Sequence, residues 1–135
     1  MKNSRIIIAA AMLALAGVAA HSADKVDKRT AKNEAKLEKM LEGRTAGTPV
    51  SCISQMQSNH LQVIEGVALV YDAGDTIYVA RPTDPSTLRR DDVIVINRFG
   101  GQFCNTDVIR TVDRSGGFFT GVVFLKEFVP YRKQN

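Results

Sequence analysis

A chain of 135 residues with 44% apolar and 24% charged residues has the size and composition of one globular domain with one core. The formal charge is +4, but Lys2 and Arg5 sit in an N-terminal segment that reads as removable, and without them it falls to +2. Residues 45 to 135 hold nine basic and nine acidic side chains, so the body of the chain gives no reason to expect the phosphate-binding surface of a nucleic-acid protein.

Lys2 and Arg5 precede the apolar stretch Ile6 to Ala16, and small residues follow, which is the three-part layout of a secretory signal. The stretch is short of the ~20 apolar residues that a membrane-spanning helix needs. Residues 1–22 are therefore expected to be a signal peptide, cleaved after Ala20 or after Ser22, and the mature chain to be periplasmic or secreted. No cysteine follows the apolar stretch directly, so a lipid anchor is not indicated.

From Asp24 to Glu42 there is neither proline nor glycine, good helix formers dominate, and Gly43 supplies a stop. Residues 23–44 are predicted to be a charged helix. At about 100° per residue, Lys25, Lys28, Arg29, Lys32, Lys36 and Lys39 share one face, acidic residues lie opposite, and Val26, Thr30, Leu37, Met40 and Leu41 form a stripe between them. The last two turns, where that stripe is richest, are expected to dock. The basic face is a candidate contact with anionic lipid or polysaccharide.

Thr45 to Pro49 reads as a linker into a β domain spanning 45–135. Val50 to Ile53 and Leu61 to Ile64 read as short strands, separated by a polar run from Ser54 to Asn59. Val67–Tyr71 and Thr76–Arg81 flank Asp72-Ala73-Gly74-Asp75, a hairpin signature. Two prolines make Pro82 to Ser86 a loop. Val93 to Phe99 is the clearest strand, and its unbroken apolar start suggests burial on both faces. A second hairpin joins Val108–Asp113 to Phe118–Leu125 around Arg114-Ser115-Gly116-Gly117, and Glu127 to Tyr131 closes the domain. The polar tail Arg132 to Asn135 is expected to fray. The predicted fold class is α+β, mainly β: a small antiparallel sheet or partly closed barrel preceded by one N-terminal helix.

Cys52 and Cys104 are the only cysteines. In an exported chain an even count of two leaves one intramolecular disulfide, while their wide separation disfavours a Cys-x-x-Cys redox site. One mature histidine, His60, and two cysteines are a thin ligand set, so no metal or cofactor is implied. No Gly-x-Ser-x-Gly elbow, phosphate loop or zinc spacing occurs. Asp72 and Asp75 are explained by turn chemistry, and the adjacent Asp91 and Asp92 point to opposite faces of an extended chain. Arg110, Arg114, Phe118 and Phe119 combine charge and aromatic surface around a glycine turn, and form a candidate binding loop.

The segments Lys36-Leu37-Glu38-Lys39-Met40-Leu41-Glu42-Gly43-Arg44-Thr45-Ala46-Gly47, Pro49-Val50-Ser51-Cys52-Ile53, Ile77-Tyr78-Val79-Ala80-Arg81-Pro82 and Phe128-Val129-Pro130-Tyr131, together with the signal pattern, resemble a family of short exported Gram-negative bacterial proteins built on a domain of unknown function. The resemblance covers most of the mature chain and implies similar cysteines, but supplies no activity. The functional expectation is a non-enzymatic envelope binding module whose partner is an unidentified macromolecule. The alternatives are an inhibitor of a periplasmic or secreted hydrolase, and a small enzyme using His60.

Overall fold

The computed structural model describes residues 17–54, 60–98 and 100–134. Residues 1–16 of the expected signal, the polar run from Gln55 to Asn59, Phe99 and Asn135 lie outside the described residues, as do the side chains of residues 17–24, 26 and 27. Among the described residues, α1 (Gly17–Met40) is followed by ten strands: β1 (Arg44–Ala46), β2 (Cys52–Ser54), β3 (Leu61–Ile64), β4 (Ala68–Asp72), β5 (Thr76–Pro82), β6 (Asp92–Asn97), β7 (Gln102–Cys104), β8 (Val108–Asp113), β9 (Phe119–Val123) and β10 (Leu125–Lys133). They form a five-stranded sheet in the order β1-β10-β5-β4-β3, a two-stranded sheet β2-β7 and a three-stranded sheet β6-β8-β9. All pairings are antiparallel and none of the sheets closes into a barrel.

The β4–β5 hairpin forms around the Asp72–Asp75 turn as the sequence predicts. The Gly74 amide donates to the Asp72 carboxylate at 2.8 Å, and Arg44 donates to the carbonyls of Asp75 and Gly74 at 2.8 and 3.0 Å. Both faces of this hairpin are buried. Ala68, Val70, Ile77 and Val79 face α1 and pack with Leu37, Ile64, Val67, Met40, Leu41 and Tyr131. Leu69, Tyr71, Tyr78 and Ala80 face the other way, into a second cluster with Ile53, Leu88, Phe103, Ile109, Val123, Leu125 and Phe128. The fold is therefore layered, with the helix on one side of the large sheet and the two small sheets on the other.

The helix begins earlier than predicted, at Gly17, because nothing between Val18 and Glu42 interrupts it, and both expected cleavage positions fall inside it. It ends at Met40, and Gly43, at φ 69°, turns the chain out. Docking also reaches further back than the last two turns. Arg29 lies on one flank of the apolar stripe and meets Glu65 at 3.4 Å; Asn33 donates to the Glu65 carbonyl at 2.8 Å. Glu34, on the other flank, takes a two-pronged hydrogen bond from Arg81 at 2.6 and 2.9 Å. That bond holds the Glu34 carboxyl below the ordinary glutamate range and raises Arg81. Both side chains are largely exposed, so the pair contributes only about 0.2–1 kcal/mol, and the buried Leu37 supplies more.

Two segments expected to be loose are strands. Thr45 and Ala46, read as linker, belong to β1, which pairs with Lys133, Arg132 and Tyr131 of β10, and Gly47 N–H donates to the Pro130 carbonyl at 2.7 Å. The tail is ordered for the same reason: Arg132 pairs with Thr76, Gln134 N–H reaches the Gly43 carbonyl, and the Gln134 side chain bonds Thr45. Main-chain donors with a free sheet edge beside them find acceptors there, whatever the side-chain polarity.

Cys52 and Cys104 are bonded, and they are register partners in the β2–β7 pair. The bridge holds Ile53 and Phe103 over the large sheet, where Phe103 meets Phe128 edge-on with ring centres 5.2 Å apart. With the cysteines 52 positions apart, the chain-entropy model assigns the closure about 4 kcal/mol. The double variant Cys52→Ala/Cys104→Ala is expected to lose about that much in urea unfolding, followed by circular dichroism, with mass spectrometry of the parent chain finding no free thiol.

Candidate functional site

The β8–β9 hairpin carries the binding loop that the sequence singles out, and the sheet it belongs to gives that loop a context. In antiparallel pairs, directly opposed residues share a face. The register places Ile94 with Thr111 and Gly121, and Ile96 with Ile109 and Val123, on the inward face. The outward face is a lattice of Val93, Val112 and Phe119; Val95, Arg110 and Val122; and Asn97 with Val108. Phe124 lies between the buried Val123 and Leu125, and the same alternation sets it outward.

This outward face is apolar and open. Phe118, Phe124 and Phe119 are 75%, 70% and 64% exposed, and Val108, Val93 and Val95 are 47%, 42% and 39% exposed. Single exposed apolar residues are ordinary, but six large ones on one small sheet and its hairpin are the pattern of an interaction surface. The polar anchor among them is Arg110. With its amide oriented so that Oδ1 faces the guanidinium, Asn97 accepts from Arg110 Nη2 at 2.6 Å and Nε at 3.3 Å. The arginine is thus tethered among valines, leaving its remaining donors for a partner.

Burial of β6 on both faces, expected from its apolar run, is not found. Its exposure alternates, with Val93 and Val95 outside and Ile94 and Ile96 partly buried. An unbroken β-branched run hides the period-two signal that would have revealed the open face. The only polar marker of that face in the central strand is Arg110, so Val93, Val95, Val108 and Phe124 were not separable from core residues by sequence.

The hairpin tip is rigid. Asp113 Oδ1 accepts from the Ser115 hydroxyl at 2.6 Å, the Gly116 amide at 2.7 Å and the Ser115 amide at 3.0 Å. Asp113 N–H donates to the Phe118 carbonyl and Gly117 N–H to the Asp113 carbonyl, both at 2.8 Å, while Arg114 N–H ties the tip to the Asp91 carbonyl at 3.1 Å. Gly117 stands at φ 69°, and a Cβ on Gly116 would come within 2.5 Å of the Phe118 ring. Both glycines are needed to fold the ring over the turn. Arg110, Phe118 and Phe119 thus lie on one sheet and its tip; Arg114 is exposed at the same turn.

The other candidates fall elsewhere. Lys25, Lys28, Arg29, Lys32, Lys36 and Lys39 are all exposed along α1; Arg29 pairs with Glu65, and the five lysines make no ion pair among the described residues. His60 Nδ1 lies 2.9 Å from the Asp72 main-chain carbonyl. A groove of about 520 Å³ runs between α1 and the Pro82–Ser86 loop; of its charged lining residues, Glu34 and Arg81 bond each other, Asp84 accepts from the Ser86 amide and hydroxyl, and Lys126 is in no ion pair among the described residues. Among the described residues no three His, Cys, Asp or Glu side chains converge as a metal site would require. Comparison of the chain with protein-family models, curated proteins and solved structures finds no match.

Hydrogen bonds, first from the Ser115 hydroxyl and then from the Gly116 amide, hold the Asp113 carboxyl below the usual aspartate range. Because the folded value is depressed, the stabilisation of the tip is fully present above the ordinary aspartate pKa of about 3.9 and is lost as the pH falls through the lower, folded value. The Gly116 amide resonance followed by NMR is expected to titrate with a midpoint below 3.9, the ordinary value. In Asp113→Asn that transition is expected to be absent.

Proposed function

We propose that this chain is an exported, non-enzymatic module that binds another macromolecule of the cell envelope through the outward face of β6, β8 and β9. The observation that carries the reading is the set of exposed Val93, Val95, Val108, Phe118, Phe119 and Phe124 around Arg110, which Asn97 holds. Aromatic and arginine side chains are the residues that most often anchor interfaces, and a tip fixed before binding loses little entropy on binding. Export is supported by the signal-like residues 1–22 and by the disulfide, a bond that persists in oxidising compartments. No helix among the described residues is long and apolar enough to cross a membrane. A hydrolase with an open cleft is one partner class that the protruding Arg114–Phe119 tip would suit.

The test compares the oxidised chain with its Val108→Glu/Phe119→Ser variant as bait in envelope extracts. Both positions are exposed, so the variant is expected to melt like the parent. A partner held by the parent is expected to bind the variant at least tenfold more weakly, a change of about 1.4 kcal/mol. Equal binding by both would remove the outward face from consideration.

A second contact is favoured by one specific feature, the row of Lys25, Lys28, Lys32, Lys36 and Lys39, exposed along α1 and in no ion pair among the described residues. Such a row suits anionic lipid headgroups or polysaccharide, at roughly 1 kcal/mol per lysine. Lys28→Glu/Lys32→Glu/Lys36→Glu is expected to weaken co-sedimentation with phosphatidylglycerol-containing vesicles on the order of a hundredfold at low salt. Added salt is expected to erase the difference.

A further inference from the structure

β6 is the outermost strand of its sheet, and among the described residues nothing pairs with its free side. Open edges are ordinarily short, bulged or charged, because unpaired N–H and C=O groups invite another strand. The other edges here follow that rule: β1 has three residues, β3 has four, and β9 contains Gly121 and meets β8 with a break in register at Thr111–Val112. β6 does not. It runs six residues in unbroken register against β8, and from Val93 to Ile96 it carries four β-branched side chains with no proline, glycine or charge.

Its ends carry opposite charge. Asp91 and Asp92 open the strand, and Arg98, exposed and in no ion pair among the described residues, follows its end. Antiparallel pairing of this edge with itself would set acid beside base at both ends of the seam. The geometry points to a second copy of this chain as the occupant of the β6 edge, related by a two-fold axis normal to the sheet and passing beside Val95.

Charge and facing select that register. An axis normal to the sheet keeps outward residues outward, so the strands can centre on Val95 or on Ile94. Centring on Val95 opposes Asp92 to Arg98 of the second copy, Ile94 to Ile96 and Val95 to itself. Asp92 Oδ2 is held by Arg89 at 3.1 Å and its side chain is only 7% exposed, so Arg98 of the second copy would meet the edge of an existing ion pair, and the neighbouring Asp91, exposed and in no ion pair among the described residues, is the acid left open to it. Centring on Ile94 instead opposes Arg90 to Arg98, which like charges disfavour. The product is a continuous six-stranded sheet, β9-β8-β6-β6-β8-β9, in which two outward faces join into one platform. This contact is made by the backbone of β6 and does not depend on what binds the outward face.

The oxidised chain, measured by light scattering over a concentration series, is expected to reach the mass of two chains. Arg98→Asp is expected to weaken the association at least tenfold. In Val95→Cys, the new thiols face each other at the spacing of opposed strand residues, and copper–phenanthroline oxidation is expected to cross-link two chains; Ser115→Cys, at the hairpin tip, is expected not to. A single-chain mass at every concentration would overturn the proposal. So would a two-chain mass without the Val95→Cys cross-link, or masses growing beyond two chains.

Discussion

The β4–β5 hairpin is apolar on both faces, and the rest of the fold is arranged by that constraint. A strand pair with one buried face needs a single cover, but Ala68, Val70, Ile77 and Val79 on one side and Leu69, Tyr71 and Ala80 on the other need two. The helix is the first cover. It has only one richly apolar stripe, so its position is set by Leu37 over the sheet and steered at the flanks by Arg29 with Glu65 and Glu34 with Arg81. The second cover is assembled from two small sheets, and β2–β7 is too short to hold itself together by hydrogen bonds alone. The disulfide supplies what three residue pairs cannot.

A cover made from a sheet has two faces of its own. Ile94, Ile96, Ile109 and Val123 satisfy the large sheet, and among the described residues no fourth layer uses Val93, Val95, Val108 and Phe119. In a sheet whose outer face only met water, alternation would place polar side chains there. Here the outward positions stay β-branched or aromatic apart from Arg110 and Asn97, and those two bond each other. A contiguous exposed apolar face of this kind has the pattern of an interaction surface.

Much of the fold was legible because its signals are local. Asp72–Asp75 and Asp113–Gly117 announce their hairpins through turn chemistry, Gly43 stops the helix near where it should, and two cysteines in a chain with a signal-like start leave one pairing. What failed was non-local. Thr45 and the Arg132–Gln134 tail look like linker and fray by composition, yet each is the other's partner, and only the position of β10 between β5 and the edge strand β1 brings them together. The open face of β6 was hidden for a different reason: four β-branched residues in a row fit burial on both sides as well as burial on one. Among the candidate residues, Arg110, Phe118 and Phe119 were readable as a turn with aromatic flanks, whereas Val93, Val95 and Val108 became part of the site only through register.

Rigidity decides how such a face can act. A mobile aromatic loop would spend part of its contact energy on ordering, but Phe118 is folded over Gly116, and Asp113 occupies three donors of the turn with one carboxylate oxygen. The tip is also anchored to Asp91, immediately before β6, so the turn, the outward lattice and the free edge are mechanically one unit. The unit's inward residues share a cluster with Ile53 and Phe103, which the disulfide holds in place. Oxidation of two cysteines that touch no ligand therefore shapes the surface that would meet one, by fixing the layer on which that surface is mounted.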